Sequence, residues 1–208
     1  MGADARLFAA QRRRFPSLRI MEWQRPRRGD TLADYARQMA ERLPTGRFVL
    51  GGVSFGGVIA QEIAAIQKPA ALLLISTLTS TRDLRGAPGI ARWLPATVLA
   101  EGARLARGMC RLSAPTHGLL GPHRGLIATM LGDADAGYLA WACSELPQWK
   151  APLLPAIPTL RIHGTRDPLL MPADRSGIKW IRGAGHLASM THAGEVNRAI
   201  AEFLSQLG

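Results

Sequence analysis

Apolar positions along the chain follow two periods, and the switches between them mark out the elements. Leu18-Arg19-Ile20-Met21-Glu22-Trp23 predicts a strand. Thr31, with Asp34 three positions on, reads as a helix cap, and Tyr35, Met39 and Leu43 then recur at helical spacing. RFVLGG, residues 47–52, predicts the next strand, Phe55 to Gln67 a helix, and AALLLIS, after the breaker Pro69, a further strand. Both later strand runs are continuously apolar rather than alternating, as expected when helices cover both faces of a parallel sheet. Strand, helix, strand, helix, strand is the order of an α/β fold.

Residues 79 to about 152 break that rhythm. TVLAEGARLARGMCRL places Val98, Gly102, Leu105, Met109 and Leu112 on one helical face and Arg104, Arg107 and Arg111 on another. The arginine stripe reads as a solvent face, with a helix lying on a membrane surface as the alternative. More helix is expected around Leu126 to Met130 and from Ala136 to Glu145, with Trp141 and Trp149 free to pack or to line a pocket. This stretch predicts a mostly helical lid inserted over one end of the sheet. Leu94, Leu99, Leu131, Leu139 and Trp141 are its candidate lining residues.

The strand pattern returns at Pro158–His163, closed by Gly164, and at Ile178–Ile181. A last helix from about Thr191 carries Val196, Ile200, Phe203 and Leu207 as its buried stripe. Without repeats or a low-complexity linker, residues 1–208 read as one domain carrying the lid.

GGVSFGG, residues 51–57, interrupts two apolar runs with four glycines and one serine. At a strand-to-helix junction this fits G-x-S-x-G, the turn that lifts a nucleophile out of a sheet. Gly52 and Gly56 are expected to relieve crowding around the turn, so that Ser54 can present its hydroxyl. The amide of Phe55, in the first helical turn, can then face a developing oxyanion. Neither a dinucleotide fingerprint nor a phosphate-binding loop fits this spacing.

A serine hydroxyl needs a base, and the base an orienting carboxylate. In this architecture the chain order is serine, acid, histidine. IHGTRDPLLMP places Asp167 just after a strand, and IRGAGHLASM places His186 in a glycine-flanked loop before the last helix. Asp174 is the alternative acid, with Asp133 and Asp135 further candidates in the lid. His192 is expected at the surface, and His163 is expected to be structural, packed at a strand end. His117 and His123 have no partners at metal-ligand spacing.

Composition narrows the function classes. The chain has 208 residues, 47 % of them hydrophobic, enough for one real core. Net charge is +11, from 26 Lys and Arg against 15 Asp and Glu. The arginines are scattered and lack aromatic interleaving, which argues against nucleic-acid binding. Cys110 and Cys143 offer neither a disulfide framework nor a metal motif. The opening residues carry no long apolar core of a signal peptide, and the longest apolar run is far short of a membrane span. A cytoplasmic protein without stable membrane insertion is the expectation.

GGVSFGG, HGTRDPLLMP and GAGH, in that order and with a helical cap between, resemble an α/β-hydrolase of the small bacterial esterase-like group over nearly the whole chain. The resemblance implies hydrolysis of carboxylic esters, thioesters or related acyl compounds through an acyl-enzyme, without a cofactor. It puts the nucleophile on Ser54, the acid on Asp167 and the base on His186. Acyl transfer, and a binding or scaffold protein of impaired activity, are the alternatives that it leaves. Asp167 and His186 stand only 19 residues apart, so the helix expected between the last two strands is reduced to little more than PADRSG. MGADARLFAAQRRRF resembles an oxyanion loop and its following helix. This puts the second oxyanion donor on Met1 or Gly2, and the strand that should precede the loop is missing. The expectation is therefore a sheet with a gap beside the strand entering Ser54, and a weakened protein, unless LRIMEW pairs directly with RFVLGG.

Overall fold

The computed structural model describes residues 1–84, 94–117 and 122–208, with side chains described for all of these except 96, 110–117 and 122. The expectations placed on Cys110, Arg111, Leu112 and His117 lie outside the described side chains. Within the described residues the continuous apolar runs form a four-stranded parallel sheet in chain order, β1 Val49–Val53, β2 Ala71–Ile75, β3 Thr159–Gly164 and β4 Ile178–Ile181. The helices are α1 Ala9–Arg14, after a 3-10 turn at Ala5–Phe8, α2 Leu32–Ala40, α3 Phe55–Ile66, α4 Ala96–His117, α5 Pro122–Asp133, α6 Ala136–Glu145, α7 Ala188–Thr191 and α8 Ala193–Ser205.

Successive strand side chains point to opposite faces, so a run such as ALLLI must be apolar throughout if both faces are covered. Leu72 and Leu74 of β2 join Leu50 in a core with α2, α3 and α6. Ile75 turns the other way, with Val53, Ile162 and Ile181, against Leu7, Met130 and the α8 residues Val196, Ala199 and Ile200. Each fully buried side chain of this size contributes about 1.5–3 kcal/mol. Helix α3 is covered almost all round, and its two polar residues are satisfied inside. Gln61 Nε2 donates to Gly57 O and Leu78 O, and Glu62 Oε1 accepts from Trp149 Nε1 at 2.6 Å. Trp149 is thus a packing residue.

The capping box is formed as expected, Thr31 with Asp34, although α2 ends at Ala40 and leaves Leu43 beyond it. The last helix is divided at His192 into α7 and α8. The link between β3 and β4 contains no helix, as the short PADRSG stretch implied.

Two expectations are overturned. LRIMEW is not a strand: residues 18–27 run without ladder partners, and β1 pairs with β2 alone. A strand exists only by pairing, and here side chains do the work that a ladder would do. Tyr35 Oη accepts from Gln24 N at 2.9 Å and donates to Gln24 O at 3.0 Å. Arg42 Nη1 donates to Glu22 O, and Trp23 Nε1 donates to Ala3 O at 3.0 Å. The segment is tied down without joining the sheet.

The faces of α4 are also rotated from expectation. Val98, Leu105 and Met109 point outward, at 51 %, 67 % and 61 % exposed, while Ala103 packs against the core. Arg107 is not on a solvent stripe; its Nε donates to Ala134 O. Leu99, Ala100, Ala103 and Arg107 lie on the half-covered side, and the small Ala103, packed against the core, lets the helix approach where a larger side chain would hold it off.

Tyr35→Phe removes both bonds to Gln24 and leaves that amide and carbonyl short of partners. The expected loss is about 1–3 kcal/mol, read as a lower urea midpoint at unchanged slope. A midpoint equal to wild type would show that the segment is held by other contacts.

Candidate active site

The turn between β1 and α3 presents Ser54. Ser54 adopts φ 54° and ψ −122°, a left-handed backbone that a non-glycine residue rarely takes. Such strain costs about 1–3 kcal/mol and persists only where the surroundings hold it. Here they do. Ser54 N donates to Ile75 O at 3.0 Å, and Ser54 O accepts from Gly57 N at 2.9 Å and from Thr77 Oγ1 at 2.6 Å. The turn is so tight that a Cβ on Gly52 would lie 2.1 Å from the Gly56 carbonyl, and one on Gly57 2.5 Å from Thr77 Oγ1. Gly56 differs from expectation: a side chain there would meet only the Trp23 ring at 3.8 Å. Crowding falls on Gly52 and Gly57.

His186 reaches Ser54 from the loop after β4. Its Nε2 is 2.9 Å from Ser54 Oγ, and its Nδ1 is 2.9 Å from Asp167 Oδ2. With Nδ1–H donating to the carboxylate, Nε2 is left to accept the serine proton. The loops of acid and base meet because Gly164 has no side chain; a Cβ there would stand 2.3 Å from Ala184 O and 2.6 Å from Gly185 O. Asp167 is buried, and its Oδ1 accepts from Leu169 N at 2.9 Å and Leu170 N at 3.1 Å. Burial alone would raise its pKa. Hydrogen bonds from His163 and His186, the charge of His186 and the Leu169 amide outweigh that, and hold the carboxyl well below its ordinary range.

Residues 3–199 match the profile described as Alpha/beta hydrolase family. The chain belongs to the alpha/beta hydrolase family. Solved structures with the same fold include a thermophilic esterase, 20 % identical, with a TM-score of 0.68 and coverage of 100 % of this chain and 87 % of that one. A hydrolase from Pseudomonas aeruginosa PA01 is 20 % identical, with a TM-score of 0.69 and coverage of 98 % and 86 %. A structure from a study of novel epoxide hydrolases in metagenomes from hot environments is 19 % identical, with a TM-score of 0.59 and coverage of 96 % and 86 %. At such identities the shared property is the fold. Among curated proteins, none matches this chain in sequence.

In this alpha/beta hydrolase the alternative acids are engaged elsewhere. Asp174 pairs with Arg161 and bonds Ser176, Asp133 pairs with Arg6, and Asp135 caps α6 and pairs with Arg25. His192 is bonded to the neighbouring Thr191 hydroxyl at 2.9 Å. Among the described residues no three His, Cys, Asp or Glu gather as metal ligands, and no helix is long and apolar enough to cross a membrane.

Phe55 opens α3, and its amide is one of the first-turn N–H groups that have no partner inside a helix. Its ring is buried against Trp23, at 5.7 Å between centroids. Gly2 has φ 78°, and its Cα faces Leu131 and Leu139 of the lid. Met1 packs on the same core, with its Sδ 3.3 Å from Cys143 Sγ.

The lining expected of the lid is not the one formed. A cavity of about 440 Å³ lies between the segments 2–6 and 21–25 and the end of α5, with Met21, Trp23, Met130, Ala134 and Tyr138 on its apolar walls. Leu94, Leu99, Leu131, Leu139 and Trp141 do not line it. Leu139 is core, and Trp141 Nε1 donates to Asp30 O at 2.8 Å. Both are held by partners that lie far away in sequence. His163 is buried at the strand end as expected, and its Nε2 also stands 3.2 Å from Asp167 Oδ2; Asp83, which grips the Asp167 loop, went unrecognised in the sequence.

Because the folded pKa of Asp167 is depressed, its charge stabilises the fold above the unfolded value, and that contribution is lost as pH falls toward the folded value. Wild type is expected to be more stable than Asp167→Asn at neutral pH, with the difference shrinking below about pH 4. Denaturant titrations of both proteins across that window measure it. A difference that stays constant with pH would mean that the carboxylate is not held ionised.

Proposed function

We propose that this protein is a serine hydrolase acting on carboxylic esters or thioesters through an acyl-enzyme. The observation that carries the reading is the 2.9 Å approach of His186 Nε2 to the hydroxyl of a serine held at a left-handed turn. Ser54 Oγ attacks the acyl carbonyl while its proton passes to His186 Nε2. The resulting imidazolium is stabilised by Asp167, which stays ionised throughout. The tetrahedral oxyanion receives the Phe55 amide and a second backbone donor from Met1–Gly2. Preorganised donors of this kind are worth about 10²–10³ in turnover each. Collapse expels the alcohol or thiol with the proton from His186. Water, deprotonated by the same imidazole, then releases the acid and restores Ser54.

The cavity beside Gly2 and Trp23 suits the acyl part of the substrate. Most of its surface is apolar; of its charged residues Arg6 pairs with Asp133 and Arg25 with Asp135, while Glu22 and Gln24 also border it. Apolar burial therefore supplies affinity, and few polar groups are left to fix orientation. The thermophilic esterase that shares this fold supports the class.

Ser54→Ala is expected to lower p-nitrophenyl butyrate turnover by at least about 10³-fold with unchanged circular dichroism. A fluorophosphonate probe should label wild type and not the variant. An active, labelled variant would move the nucleophile elsewhere, and an unlabelled, inactive wild type would favour a binding protein. Met21→Trp, which fills part of the cavity, should shift preference toward shorter acyl chains. An equal loss at every chain length would show that the acyl group lies elsewhere.

A further inference from the structure

His163 sits at the end of β3 with its side chain 3 % exposed, and it takes no part in the steps above. Its Nε2 hydrogen-bonds Leu170 O at 3.2 Å and stands at the same 3.2 Å from Asp167 Oδ2. A carbonyl and an ionised carboxylate are both acceptors, so Nε2 carries a proton shared between them. The carboxylate oxygen it faces is the one that receives His186 Nδ1–H. The other oxygen is filled by the Leu169 and Leu170 amides. The acid is therefore surrounded by four donors, two of them imidazoles bearing on one oxygen.

We propose that His163 is a positioning residue that holds the Asp167 carboxylate with Oδ2 toward His186, so that the Ser54–His186 contact depends on a second, buried imidazole. The inference rests on the serine hydrolase reading for its kinetic consequence, although its geometry stands on its own. Rotation of the carboxylate about its Cβ–Cγ bond would break the bonds from His163, His186 and both loop amides together. His163 also ties Leu170 O, so the carboxylate and its loop are fixed by one ring. The ring is itself held on its other side by Trp180, edge-on at 5.7 Å between centroids. Among the described residues, the ionisable and charged groups around this ring include Asp167, His186 beyond it, Arg161, which lines the same small cleft as His163, and Arg175, whose guanidinium stacks on Trp180 at 4.9 Å. A leucine in place of His163 keeps the packing and deletes the donor. A glutamine places an amide Nε2 near the position of the imidazole Nε2 and keeps it.

The test compares wild type, His163→Leu and His163→Gln on p-nitrophenyl butyrate, with kcat and KM across pH and the melting temperature of each. His163→Leu should lose about 10²-fold in kcat, the scale of a small misplacement, with KM little changed and the acid limb of kcat/KM displaced. His163→Gln should recover most of that loss. Wild-type kcat and pH profile in folded His163→Leu would overturn the proposal, as would a glutamine variant that folds but fails like the leucine one. Imidazole nitrogen shifts by NMR give a readout that needs no turnover. His163 protonated at Nε2, and a His186 Nδ1–H resonance that moves in His163→Leu and returns in His163→Gln, support the role. A His163 proton on Nδ1, or an unmoved His186 resonance, sinks it even if the serine assignment survives. Activity that persists in Ser54→Ala would sink the serine assignment and leave the NMR result to judge His163 alone. Should His163→Leu fail to fold, the wild-type tautomer and the glutamine variant still decide.

Discussion

The site depends on one strained peptide, the left-handed backbone of Ser54, and much of the surrounding structure exists to hold it. A serine at φ 54° has no local reason to stay there. What holds it is β2: Ile75 O takes its amide, and Thr77 Oγ1 clasps its carbonyl. Each net hydrogen bond contributes about 0.5–1.5 kcal/mol, so the three on the Ser54 backbone offset a strain of about 1–3 kcal/mol. The Ser54 turn is thus a product of the parallel pairing of β1 with β2, in register from Val49 opposite Ala71 to Val53 opposite Ile75. Ser76, the next residue along β2, has φ 44° and is fully buried. Two adjacent strand ends therefore both leave the sheet through a left-handed residue.

Much of this was legible in the sequence because the signals were local. Continuous apolar runs in AALLLIS gave a two-faced strand, Thr31 and Asp34 a capping box, and GGVSFGG a turn too tight for side chains. Ser54, Asp167 and His186 could be named because each sits at a strand end with glycine near it. The failures share a cause of the opposite kind. LRIMEW has a strand's composition, but a strand needs a neighbour, and composition does not say whether one is present. The outward face of α4 was misread because hydrophobic period gives the stripe and not its direction. Ala103, packed against the core, marks the inward side. Gly57, not Gly56, meets Thr77, a contact between loops 20 residues apart. His163 is buried at its strand end as expected, but no spacing rule connects that ring to the Asp167 carboxylate.

The lid illustrates the same division. Helix α6 runs from Ala136 to Glu145 as expected, and Asp135, expected only as a candidate acid, caps it. The cavity it borders was not legible in the sequence. Tyr138 stacks on Trp23 at 5.3 Å, and Trp23 in turn covers Gly56 beside the nucleophile. Helix α6 therefore reaches the Ser54 turn through one indole that belongs to a loop expected to be a strand. Had residues 18–23 been paired in the sheet, Trp23 would have been fixed by a ladder. Instead its position rests on the Ala3 carbonyl and on aromatic contacts, which makes the N-terminal segment, the lid and the elbow parts of one packing unit.

The link from β3 to β4 has no helix, yet it must hold Asp167 to within a hydrogen bond of His186. After β1 a packed helix, α3, fixes the turn; here a buried carboxylate takes over. Asp83 Oδ2 accepts from Thr79 N at 2.7 Å and Ser80 N at 3.1 Å, while its Oδ1 accepts from Ala173 N at 2.8 Å. Met171 N donates to Asp83 O, and Leu84 bridges Leu170. The loop after β2 is thereby stitched to the loop that carries the acid. A buried charge is tolerable only when every lone pair is met, and backbone amides are rigid donors that cannot swing away to water. The acid loop is held from below by Asp83 and from the strand by His163. Gly164 lets it approach the base loop closely enough for Asp167 and His186 to meet across 19 residues. A short connection can carry this geometry because its order is borrowed from the strand end beside it.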